Sequence, residues 1–106
     1  MVPIYVYVIS ETYGEFVKVG MAQDVRKRAT SLQVGNPRPL TIRHSLECKN
    51  RKFARHIEME AHRILADHRV YGEWFACTFD DAVAAVGTAA AAPVPPSSTS
   101  RSTTAM

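Results

Sequence analysis

Tyr5-Val6-Tyr7-Val8-Ile9, followed after a turn at Tyr13-Gly14 by Phe16-Val17-Lys18-Val19-Gly20, is the stretch whose reading decides the fold. Residues 4–9 are all β-branched or aromatic, the composition of a strand. Alternation puts Tyr5, Tyr7 and Ile9 on one face and Ile4, Val6 and Val8 on the other. Both faces are apolar, which predicts a central strand covered on both sides. Ser10 to Glu15 contains Gly14 and supplies a hairpin turn. In the partner strand Val17 and Val19 face one way, and Phe16, Lys18 and Gly20 the other. The core is expected on the valine side, with Lys18 exposed or lining a groove.

Working outward, Asp24 is placed to cap a helix over about 25–33, in which Arg28 and Leu32 share a face. Gly35-Asn36-Pro37 ends that helix. Leu40, Ile42, His44 and Leu46 alternate with polar residues and predict a third strand. Asn50 is placed to cap the longest helix, about 51–68, whose Phe53, Ala54, Ile57, Ala61, Ile64 and Leu65 form one apolar stripe. Tyr71-Gly72 interrupts the pattern. Glu73 to Thr78 reads as a short extended segment and Asp80 to Val86 as a short helix. The order β-β-α-β-α-(β)-α has no internal repeat and predicts a small α+β domain: a three-stranded, mostly antiparallel sheet flanked by helices.

The 106 residues suit one domain. From Thr88 the chain is Ala, Pro, Ser and Thr with one charge, Arg101, so the expectation is a folded domain over 1–87 and a disordered tail over 88–106. No stretch of about 18 apolar residues is present, so no membrane span is expected. The first residues lack the basic segment of an export signal. Cys48 and Cys77 are then expected as reduced thiols in a cytoplasmic setting. Neither these nor the four histidines have the close spacing of a structural zinc site. The net charge of +3 is unevenly distributed. Residues 26–69 hold 11 Lys/Arg against 4 Asp/Glu, while the rest of the chain is net acidic. A basic middle fits a polyanionic partner, and it equally fits a solvated helix face.

Several fragments, in order, resemble the GIY-YIG nuclease superfamily and in particular its compact phage and bacterial branch. Tyr5-Val6-Tyr7 stands where that family has Gly-Ile-Tyr, and Lys18-Val19-Gly20 where it has Tyr-Ile-Gly. Arg28 matches its helix arginine, and Ile57-Glu58 its hydrophobic-Glu pair. Leu32-Gln33-Val34-Gly35-Asn36-Pro37-Arg38-Pro39-Leu40 and Gly72-Glu73-Trp74-Phe75 look like the compact branch. The resemblance covers roughly residues 4–76. It implies divalent-metal-dependent hydrolysis of DNA phosphodiesters, with Mg²⁺ or Mn²⁺, in a bacterial cell or a phage-infected host.

The chemistry calls for these residue types. Tyr7 would stand beside the attacking water as base or relay. Arg28 would grip two phosphate oxygens with its planar fork. Glu58 would ligate the metal, and a hard cation needs only one or two protein carboxylates. Lys18, which replaces the family's second tyrosine, would be another cation beside the phosphate. Helix periodicity leaves Glu58 and Glu60 on opposite borders of the apolar stripe and does not choose between them; the resemblance selects Glu58. His62, four residues after Glu58, is a candidate for orienting it or touching substrate, against the commoner role of a helix-surface residue. The wider family has a polar residue after this helix, for which Glu73 is a candidate; Glu73-Trp74-Phe75 otherwise reads as core closure. Arg26, Lys27, Asn36, Arg38, Arg43, Arg51 and Arg55, with Lys49 and Lys52, are expected to contact the DNA backbone. No dedicated recognition module is visible, so sequence specificity would require a partner, a dimer or loop contacts.

Overall fold

The computed structural model describes residues 2–92. Its elements run β1 (Ile4–Glu11), β2 (Phe16–Ala22), α1 (Val25–Val34), β3 (Leu40–Cys48), α2 (Arg51–Ile64), a 3₁₀ turn (Ala66–His68), β4 (Arg69–Tyr71), β5 (Trp74–Ala76) and α3 (Phe79–Ala91). The sheet has five strands in the order β3-β1-β2-β5-β4, every neighbouring pair antiparallel. The α+β class expected from the sequence holds; the three-stranded sheet does not. The two additional places are taken by β4 and β5, three residues each, too short for alternation to register. Tyr71 closes β4, and Gly72-Glu73 is the turn between the two strands rather than a break, with Gly72 at φ 55°, a left-handed conformation costly for other residues.

β1 lies between β3 and β2 and is buried on both faces. On one face Ile4, Val6, Val8, Val17, Val19 and Phe75 pack against Ala54, Ile57, Ala61 and Leu65 of α2 and its end, and against Ala82, Ala85, Val86 and Ala89 of α3. On the other, Tyr7, Ile9 and Ala22 pack beneath α1 through Val25, Ala29 and Leu32. Full burial of each larger side chain contributes roughly 1.5–3 kcal/mol, so the all-apolar strand makes the double-sided packing favourable.

Three local differences have physical causes. The register of β3 on β1 slips between Val8 and Ile9, leaving Arg43 as an extra residue. Leu40 and Leu46, expected on one face, therefore pack on opposite sides of the sheet. The long helix ends at Ile64 rather than near 68, tightening to the 3₁₀ turn that leads into β4. The boundary expected at 87 is also corrected: α3 continues to Ala91, with Ala89 buried. Its alanines are the best helix formers, Thr78 caps it through Asp81 N–H (3.1 Å), and Asp80 and Asp81 complement its N-terminal dipole. The remainder of the expected tail, 93–106, lies outside the described residues. Cys48 and Cys77 are free thiols, both pushed up in pKa by burial. Among the described residues no helix is long and apolar enough to cross a membrane.

Candidate active site

Tyr7 stands opposite Gly20 in the β1–β2 register, on the face that α1 partly covers. A Cβ at position 20 would lie 2.5 Å from the Tyr7 hydroxyl oxygen and 2.8 Å from Cζ, so only glycine leaves room for the ring. The hydroxyl is fully buried, and no hydrogen-bond partner satisfies it. A buried polar atom left without a partner requires an explanation. Burial pushes the phenol up to about 12; the nearby Arg28 guanidinium opposes this, and the Glu73 and Glu58 carboxylates reinforce it. Arg28 lies close enough to interact with the hydroxyl, although no well-aligned hydrogen bond forms.

Three elements deliver the surrounding charges. β2 presents Lys18, whose Nζ donates to Glu73 Oε1 at 2.9 Å. The tight β4–β5 turn presents Glu73, and its carbonyl accepts from Val19 N–H at 3.3 Å, which ties the turn to the β2 edge where β5 stops. From beneath, α2 presents Glu58, 9% exposed, within hydrogen-bonding reach of the Glu73 carboxyl group. Burial raises the Glu58 pKa most, and the Glu73 charge adds to it; His62 and Arg55 pull the other way. Glu73 is half-exposed and paired with Lys18, so the cost of bringing two carboxylates together falls on Glu58. His62 Nε2 lies 2.7 Å from the Val19 carbonyl, which only accepts, so this nitrogen carries a proton and donates. Its ring packs on Phe75, centroids 5.2 Å apart.

Alongside runs an open polar groove of about 500 Å³, lined by Lys27, Arg28, Ser31 and Arg51 among others. It lies at the start of α1, where Asp24 accepts from Lys27 N–H (3.0 Å), and beside Arg51, the first residue of α2. Two helix starts and three cationic side chains make it a favourable place for an anion.

The T5orf172 domain model matches residues 4–89, from the first residue of β1 to the buried Ala89 of α3. The chain belongs to the T5orf172 domain family. No curated protein and no solved structure matches it.

In this T5orf172 domain, five residues singled out from the sequence, Tyr7, Lys18, Arg28, Glu58 and His62, are brought together around the middle of the β1–β2 pair. Glu58 and Glu60, between which periodicity did not choose, lie in different surroundings. Glu60 faces outward and is bound to Arg63 at 2.9 Å, whereas Glu58 faces Glu73 and Tyr7. Glu73, only a candidate from the sequence, is central. Its signal was the preceding Gly72, which marks a turn able to aim the next side chain.

The basic residues divide. Lys27 and Arg51 line the groove with Arg28, and Arg55 lies near Glu58. Arg26, exposed on α1, is not among the residues lining the groove. Asn36 and Arg38 sit in the α1–β3 loop of the T5orf172 domain. There Asn36 Oδ1 accepts from Arg38 N–H (2.9 Å) and Arg38 approaches the buried Glu11 (3.6 Å). Gln33 knits this loop by donating to the Asn36 and Arg38 carbonyls and accepting from Leu40 N–H. That role explains a glutamine ahead of Pro37 and Pro39, which lack backbone donors. Arg43 is placed elsewhere: it donates to Ser10 Oγ (2.8 Å) and the Thr12 carbonyl (3.2 Å) and stacks over Phe79 at 4.1 Å. The β3 bulge turns it into a tie within the fold rather than a free cation.

Proposed function

We propose that this T5orf172 domain is a divalent-metal-dependent DNA endonuclease of GIY-YIG type. The observation that carries the reading is the buried, unpartnered Tyr7 hydroxyl, seated over Gly20 between the Arg28 guanidinium and the Glu58–Glu73 carboxylates. Neutral phenols in cores normally find a partner; one left without a partner beside Arg28, which lines the basic groove, keeps a hydrogen bond in reserve for a water or phosphate oxygen. Membership of a family associated with nuclease-like proteins supports the coarser part of this reading, action on or binding to DNA.

The residues fit a hard cation. Glu58 and Glu73 offer adjacent oxygen donors; burial chiefly raises the Glu58 pKa, and the repulsion from Glu73 that adds to it would be relieved by a positive ion between them. Bound there, Mg²⁺ or Mn²⁺ would neutralise charge on the phosphate and the leaving oxygen. With its pKa near 12, Tyr7 keeps its proton at neutral pH. It therefore orients the attacking water through Oη and relays a proton rather than acting as a standing phenolate. Arg28 grips the phosphate from the groove side. Lys18 holds Glu73 in place and adds positive charge beside the nucleophile. His62, its Nε2 tied to the β2 backbone, positions α2 and hence Glu58.

The rival reading is a nucleic-acid-binding module without turnover. It draws on the Lys18–Glu73 ion pair, which occupies one of the two carboxylates. Supercoiled plasmid incubated with the protein and Mg²⁺ or Mn²⁺ separates the two. Metal-dependent nicking, lost in Glu58→Ala, is the expected result. Folded wild-type protein that retards DNA yet never nicks it, in either metal and on several DNA forms, would transfer the assignment to the binding module.

A further inference from the structure

The sheet face that carries Tyr7 is only half covered. α1 packs mainly on β3 and also on β1 and the Ala22 end of β2, whereas it makes no comparable contact with β5 or β4. There Phe16 is 40% exposed and Tyr71 78% exposed, with Trp74 half-buried between them. Together with Val70, Asn36 and Glu11 they line an apolar pocket of about 180 Å³. Three aromatic side chains left at the surface of so small a domain need a reason. The pocket adjoins the candidate active site. Trp74 follows Glu73 directly, and the Lys18 Nζ that holds Glu73 lies 5.7 Å from the centre of the Trp74 ring.

We propose that this pocket receives one unstacked nucleobase of the strand whose phosphate is held by Arg28 and Lys18. The inference rests on the nuclease reading and specifies its substrate: DNA with an unpaired nucleotide beside the scissile phosphate, such as a single strand, a flap or a mismatch. Aromatic faces stack on any base, and the interaction tolerates sequence. Two cations lie beside the pocket, each paired with a carboxylate. Lys18 lies on one side, and Arg38, its side chain 67% exposed, is held on the other by the buried Glu11. Such a border suits a ligand carrying phosphates more than an apolar peptide or a lipid chain. Asn36 supplies a polar group at the wall. An intact duplex would first have to surrender a base from its stack, at a cost least for damaged or unpaired positions. The pocket therefore confers preference by DNA structure.

Trp74 is the single tryptophan, so its emission reports on the pocket directly. The full chain, in EDTA so that nothing is cleaved, is titrated with a single-stranded oligonucleotide and with the duplex of the same sequence. Binding is followed in parallel by anisotropy of labelled DNA. Saturable quenching of Trp74 by the single strand is expected, with affinity at least about tenfold above the duplex. Phe16→Ala and Tyr71→Ala should each weaken single-strand binding about 5- to 150-fold, the range for loss of one base–aromatic stack, and Tyr71→Phe should restore it. Both positions are exposed, and thermal melts confirm that the variants fold. DNA binding with unchanged Trp74 emission, or variants whose preference for single strands equals wild type, would overturn the pocket assignment while leaving the nuclease reading intact. Absence of binding by anisotropy, with no plasmid nicking in metal, would overturn both. Emission that shifts with protein concentration alone, accompanied by dimers in sedimentation, would reassign the surface to self-association and overturn the proposal.

Discussion

Tyr7 and Gly20 make sense only as a pair. The ring is large, central and fully buried, and a core aromatic would account for it were its hydroxyl satisfied. Because the hydroxyl is not, Tyr7→Phe removes a buried polar group that has no partner. Its melting temperature should stay equal to or above that of the wild type, while nicking should fall by roughly 10²–10⁴-fold. A mere packing role predicts unchanged activity instead. Glu58 gives a second test of the same kind. Its folded-state pKa is raised, so the folded protein holds this proton more tightly than the unfolded chain does. The stability it contributes is present at low pH and lost as pH rises through the folded pKa. Without metal, Glu58→Gln should therefore melt higher than wild type at pH 7.5, on the scale of about 0.5–2 kcal/mol usual when functional-site strain is relieved. The two should converge near pH 4. Melting curves in EDTA at both values decide it, and a variant less stable than wild type at pH 7.5 would remove the case for an uncompensated carboxylate pair.

At the scale of elements, β1, β2, α1 and the start of α2 carry strong local signals, and the residues read there lie where the spacing placed them. Asp24 and Asn50 cap their helices as expected, each accepting from a backbone N–H at 3.0 Å and 2.8 Å. The misreadings fall where local pattern is overridden. β4 and β5 exist because the Gly72 turn folds them onto β2, not because three residues carry a period. The slip at Arg43 depends on pairing with β1, which alternation within β3 cannot reveal. The Ala-rich segment after Gly87 lacks large apolar residues yet is helical, because small side chains let α3 lie close to α2 and β1. A chain cut after Gly87 should be less stable than one cut after Ala92, by about 1 kcal/mol for the lost burial of Ala89 and its neighbours. Equal melting temperatures would mean that the last turn contributes nothing.

Over the whole molecule, charge and exposure are arranged about one region. The groove at the helix starts gathers Lys27, Arg28 and Arg51 from segments more than twenty residues apart in sequence. If these contact phosphates, the slope of log K against log salt should fall by about one unit for each cation removed. Lys27→Ala and Arg51→Ala are the variants to measure. Arg43→Ala should leave that slope unchanged, since Arg43 is engaged with Ser10, Thr12 and Phe79. A slope that responds to Arg43 but not to Lys27 or Arg51 would place the DNA on a different face.

The sequence by itself determined the α+β class, the central doubly buried strand, the two capped helices and the separate positions of Tyr7, Lys18, Arg28 and Glu58. These follow from short-range physics: alternation, helical spacing, caps and turn residues all act within a few positions of the chain. Only the tertiary structure decided the rest. It brought Glu73 against Glu58 and Lys18, closed Gly20 onto Tyr7, turned Arg43 inward and left three aromatics uncovered beside the carboxylates. Each of those depends on which strand edge stops where and on the register across the sheet. Such pairings join residues well beyond the reach of one turn or helix period, and no local pattern encodes them.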